Sequence, residues 1–156
     1  ATLVVLLLSF LVTEGAEGQR LRFSITGGSP ITFPNPTEAH YDAGSVPASS
    51  AALGWTENIT GGGNTNRTSI VSVRANSSVM GGTKPIGDLQ WKRSDLAVWN
   101  SLTTSNVVVE SRPIRNNGIN DPWSNSMTWR VLLDWANDGP ATYTPTVVVT
   151  STLTTP

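Results

Sequence analysis

The stretch "SMTWRVLLDW" (Ser126–Trp135) settles the fold class. Met127, Trp129, Val131, Leu133 and Trp135 fall on one parity; Thr128, Arg130, Leu132 and Asp134 fall on the other. Successive side chains of an extended strand point to opposite faces, so this alternation predicts a strand with one buried face. Trp129 and Trp135 keep the inward phase, which predicts both as core aromatics. "ANDGPA" follows, where Asn137, Asp138, Gly139 and Pro140 supply turn chemistry. "TYTPTVVVTSTL" (Thr142–Leu153) then alternates again, with Tyr143, Val147, Val149 and Leu153 against a row of threonines. Pro145 has no ladder donor and places an edge or bulge near the start of this strand. The two segments read as an antiparallel hairpin.

Upstream runs are shorter. "RLRFSI" (Arg20–Ile25) sets Leu21, Phe23 and Ile25 against Arg20, Arg22 and Ser24, and "TSIVSVRA" puts Val71, Val73 and Ala75 on one face. "GDLQWK", with Leu89 and Trp91 in phase, "DLAVW" and "NVVVES" add further β-type runs. Clusters such as "GGSP", "TGGGNTN" and "RNNGINDP" punctuate them, and Gly61–Asn66 reads as an exposed loop. "TEAHYDAG" and "VPASSAALGW" have room for a turn of helix at most. Short strands separated by turn signals predict an all-β protein, an antiparallel Ig-like or jelly-roll β-sandwich with an N-terminal strand extension.

At 156 residues the chain suits one domain with a real core. Only 13% of residues are charged and the net charge is −1, so no global field favours nucleic acid or an anionic membrane. Polarity comes instead from 17 Ser, 20 Thr and 12 Asn, a composition common in exported surface proteins. The absence of Cys removes disulfides and thiolate sites. Sequons at Asn58, Asn66 and Asn76 are about as many as this composition yields by chance.

Catalytic chemistry has few candidates. The only histidine, His40, reads as structural or exposed, and no metal site of several His or Cys ligands can be built. Asp88 and Asp95 sit at strand starts, where turn capping is expected, and Asp134 lies beside a strand. "NNGIND" (Asn116–Asp121) lacks the terminal Glu of a calcium loop and reads as a surface loop. A hydrolase using two carboxylates needs a pairing that sequence cannot supply. Trp91 and Trp99 sit in strand-like runs, whereas Trp55 and Trp123 fall in expected loops, where aromatics can stack on sugars. "WKR" (Trp91–Arg93) is too little for a nucleic-acid surface. The expectation is a protein without enzymatic activity, cofactor or metal.

"ATLVVLLLSFLV" (Ala1–Val12) carries no charge. A membrane span needs about 20 apolar residues, so this stretch is too short. It has the length of a signal-peptide core, with Ala16 and Gly18 at the small-residue positions before Gln19. Read instead as a strand, Val4, Leu6, Leu8, Phe10 and Val12 form an unbroken apolar face. Burying five such side chains contributes on the order of 8–15 kcal/mol, at about 1.5–3 kcal/mol each, before ordering costs. A strand of this kind completes a sheet by β-augmentation, its own or a neighbour's. "TEGAEG" (Thr13–Gly18), with Gly15 and Gly18, is then the hinge. This divides the chain into a strand at 1–12, a hinge at 13–18 and a sandwich at 19–156.

With this apolar extension, a Thr/Val-rich body and a strand at the extreme C-terminus, the chain resembles fibre subunits that polymerise by donor-strand complementation. Chaperone-usher-like pilins and TasA-like bundling pilins are of this kind. The resemblance implies an extracellular, cell-surface homopolymer built head to tail, acting in adhesion or biofilm. The alternative is a secreted monomeric Ig-like binding module, with a glycan as one possible ligand, retaining part of its signal peptide.

Overall fold

The computed structural model describes residues 3–7 (backbone only), 20–61, 67–114, 121–139 and 141–154. In chain order the strands are β1 (Leu3–Leu7), β2 (Arg20–Gly27), β3 (Ile31–Phe33), β4 (Ser45–Pro47), β5 (Leu53–Thr60), β6 (Thr68–Ala75) and β7 (Val79–Gly81). They continue with β8 (Lys84–Pro85), β9 (Leu89–Arg93), β10 (Asn100–Ser101), β11 (Val107–Pro113), β12 (Asp121–Leu132) and β13 (Thr146–Leu153). A short α-helix, α1 (Glu38–Asp42), comes from the predicted "TEAHYDAG" turn, and a 3-10 turn spans Ile86–Asp88. His40 belongs to its cap: Nδ1 accepts the backbone N–H of Thr37 at 3.1 Å.

Two sheets form an all-β sandwich. One is ordered β11-β6-β13-β1-β3; the other is β10-β9-β12-β5-β2, with β4 also pairing β12. Their inner faces share one core, in which Trp55, Trp91, Trp129 and Leu89 of the second sheet meet Val71, Val73, Val147 and Val149 of the first. The alternation that defined the strands is what delivers these side chains inward. A smaller cluster of Leu21, Ile59 and Ile114 closes one end.

The structure corrects several expectations. β12 and β13 do not form a hairpin. β12 is already paired on both edges, by β5 and then β4 on one side and by β9 on the other, so the chain after Leu132 crosses to the other sheet, where β13 pairs β6. β12 ends before Trp135, which is 61% exposed and stacks on Tyr41 with centroids 4.5 Å apart. Trp55 lies not in a loop but at the centre of β5, fully buried. Trp123 is in β12. "DLAVW" is no strand: Leu96 and Val98 are exposed, and the segment loops from β9 to β10. "VPASSAALGW" supplies β4 and the start of β5 rather than a helical turn. Residues 62–66 and 115–120, both expected as loops, lie outside the described residues.

Candidate functional site

The region that bears on function is the junction of β13, β1 and β3. β13 is buried on both faces: Val147, Val148 and Val149 are each at most 3% exposed. Its β6 edge is paired continuously, from Val147 opposite Ala75 to Leu153 opposite Ser69. Its other edge meets β1 only at Thr146 and Val147, in parallel, opposite Leu6 and Leu7. From Val148 to Leu153 that edge has no strand partner among the described residues. β1 continues the sheet on its far side to β3, antiparallel, with Leu3 opposite Phe33, Val4 opposite Thr32 and Val5 opposite Ile31.

The five residues of β1 thus bridge two strands that do not otherwise pair. Leu3, Val5 and Leu7 are in register with the buried residues Phe33, Ile31 and Val147. Val4 and Leu6 are in register with Thr32 and Thr146, both half-buried. The remaining expected strand residues Leu8, Phe10 and Val12, and the hinge glycines Gly15 and Gly18, lie outside the described residues.

Beside this junction an apolar cavity of about 280 Å³ opens between the sheets, walled by Phe33, Tyr41, Val46, Val131, Leu133 and Tyr143. Its polar rim is Asp138, on the crossing from β12 to β13. The buried Lys84 ammonium sits 2.7 Å from both Asp138 oxygens and 2.9 Å from Asp88. Burial by itself would push Lys84 down, but hydrogen bonds to Asp138 and Asp88, and their charges, outweigh it and hold the ammonium above the usual lysine range. Asp138 Oδ2 also accepts the Asp134 N–H, so this ion triad pins the crossing to the β7–β8 hairpin. Asp88, expected as a turn cap, is part of that triad.

The other end of the sandwich interior is polar. Glu57, 1% exposed, accepts the Ser69 hydroxyl at 2.6 Å and a hydrogen bond from the Ser151 hydroxyl of β13. Glu110, also buried, accepts the Trp123 indole N–H at 3.0 Å and the Asn125 amide at 3.3 Å. Both carboxylates are packed in the interior, where they join strands through these hydrogen bonds. Among the described residues no group of three or more His, Asp or Glu could hold a metal, and no helix is long and apolar enough to cross a membrane.

Sequence reading missed Glu57 and the buried Trp55, although a signal was present. Leu53, Trp55, Glu57 and Ile59 alternate perfectly in "LGWTENIT", and the glycine and the in-phase carboxylate disguise the pattern. No family model matches the chain, and no curated protein matches it in sequence.

Proposed function

We propose that this chain is a non-enzymatic structural subunit of an extracellular filament, which polymerises when its N-terminal strand completes the β13–β3 junction of a neighbouring copy. The observation that carries the reading is the edge of β13. It is a buried, valine-rich strand to whose outer edge β1 adds in parallel, with Leu6 opposite Thr146 and Leu7 opposite Val147. The backbone groups of a buried strand need such pairing, and the same strand from another copy supplies it equally well. The bridging residues belong to the chain's own N-terminus, so each copy carries both a strand to give and a place to receive one. Such a contact is head-to-tail, and without ring closure it propagates as a fibre.

Electron microscopy and size-exclusion of the full chain beside a version lacking residues 1–12 test the reading. The full chain should form fibres and the shortened one only monomers, and a synthetic peptide of residues 1–12 added to the full chain should shorten the fibres by filling acceptor junctions without carrying a further subunit. Val5→Asp, which sets a charge opposite buried Ile31, should also stop assembly. Fibres formed by a chain beginning at Gln19 would sink the proposal, and a full chain that stays monomeric would overturn it in favour of the secreted binding module.

A further inference from the structure

Among the described residues, the outer face of the six-stranded sheet carries cations and no carboxylate. Along β2, β5, β9 and β12 the only described acid side chain is Glu57, and it is turned into the core. Facing outward are Arg20 and Arg22 on β2, Lys92 on β9 and Arg130 on β12. None of the four pairs with a carboxylate among the described residues, in a chain of net charge −1.

One corner of the face is organised in advance. The Arg130 guanidinium lies 4.5 Å from the centroid of the Trp99 ring, and Lys92 Nζ lies 5.2 Å from it. Arg130 Nε donates to Gln90 Oε1 at 2.8 Å, which fixes the plane of the guanidinium. Its terminal nitrogens make no hydrogen bond within the described residues and form the fork that fits a carboxylate through two parallel bonds. Stacking and the Gln90 bond have already restricted the side chain, so binding costs less ordering.

Between this corner and Arg22 the face is flat and made of hydroxyls, such as the Ser24–Thr56 and Ser94–Ser126 pairs, each 2.8 Å apart. With about 4.8 Å between strands and about 3.3 Å per residue along them, Lys92 and Arg22 lie roughly 25 Å apart on a diagonal. Two cationic ends joined by a hydroxyl-lined surface match an extended polymer that carries carboxylates at intervals and hydroxyls between them. Single-stranded nucleic acid would need aromatic platforms for its bases, whereas the described ring at this corner, Trp99, is already stacked on by Arg130 and Lys92 and the surface beyond it is hydroxyl.

We propose that this face binds an acidic polysaccharide, a polymer of uronic-acid type, with Arg130 and Lys92 taking one carboxylate and Arg22 another. The reading is independent of filament assembly. Affinity electrophoresis of the purified chain in gels containing polygalacturonate, dextran or no polymer tests it, with a single-stranded oligonucleotide and phosphatidylglycerol vesicles as competitors. Polygalacturonate should retard the protein at low salt and dextran should not. Arg130→Gln and Lys92→Gln should each weaken retardation about tenfold, and Arg22→Gln several-fold. Arg74→Gln removes the same charge from β6 in the opposite sheet and should change nothing. Lys92→Gln breaks no hydrogen bond, so it remains informative if Arg130→Gln fails to fold. Absence of retardation, equal retardation in dextran, equal loss with Arg74→Gln, or stronger binding of the oligonucleotide or vesicles would each overturn the proposal.

Discussion

The two sheets of this sandwich are held together by different means. In the six-stranded sheet, β12 is paired with β5 from Asp121↔Ile59 to Met127↔Leu53 and with β9 from Met127↔Arg93 to Val131↔Leu89. Three tryptophans, Trp55, Trp91 and Trp129, anchor it to the core. In the five-stranded sheet, β13 pairs β6 without a break, β11 pairs β6 across an irregularity between Val108 and Glu110, and among the described residues the join to β3 runs through Leu3–Leu7 of β1. One layer is joined by strands of the body; in the other, β13 and β3 meet through the N-terminal strand. A fold can therefore keep its core while one seam remains exchangeable, because core stability scales with buried area and a seam depends on local pairing.

The contrast is open to direct tests. Trp129→Ala, in the closed layer, removes a side chain only 2% exposed and should cost about 3–5 kcal/mol in denaturant titration, unfolding both layers together. Lys84→Met leaves Asp88 and Asp138 without their cation and should cost about 3 kcal/mol, because an uncompensated buried charge remains. In the unaltered protein the raised Lys84 value means that the lysine's charge contributes stability that is fully present from neutral pH up to the unfolded lysine range. The contribution disappears as pH rises through the still higher folded value, so a thermal-melt profile should fall in the alkaline limb, and Lys84→Met should flatten that fall.

Ser151→Ala removes one of two hydroxyls donated to buried Glu57 and should cost about 1–2 kcal/mol. Deleting residues 1–12 sharpens the comparison in hydrogen exchange: amides at the β13 and β3 seam should exchange faster while β5 and β12 keep their protection. Uniform loss of protection would show that the seam is integral to both layers. The smallest effect is expected at Trp135→Ala, at most about 1 kcal/mol, since that ring is exposed and only stacks on Tyr41.

How far the sequence could be read depended on range. Period-2 alternation is a property of neighbouring residues, so it located β2, β6, β9, β12 and β13, identified Trp129 as core and put Trp91 in phase with Leu89. It failed where alternation was masked by glycine and an in-phase carboxylate, as at Leu53–Ile59, and where it ran past the true strand end, as at Trp135. Partner choice was beyond it. Nothing local to Asn137–Pro140 separates a hairpin turn from a crossing between sheets; occupancy of both β12 edges by β5 and β9 makes that choice.

The same division holds for function. By itself the sequence determined the all-β class, the lack of cysteine chemistry and an uncharged apolar N-terminal stretch fit for a sheet, because these follow from composition and from contacts a few residues apart. Only the tertiary structure decided that Leu3–Leu7 bridge β13 and β3, that Glu57 and Glu110 bind strands together inside the sandwich, and that four cations from three strands, β2, β9 and β12, share one face free of described carboxylates. Each of these depends on which strands lie side by side, and strand order is set by burial across the whole chain rather than by any segment of it.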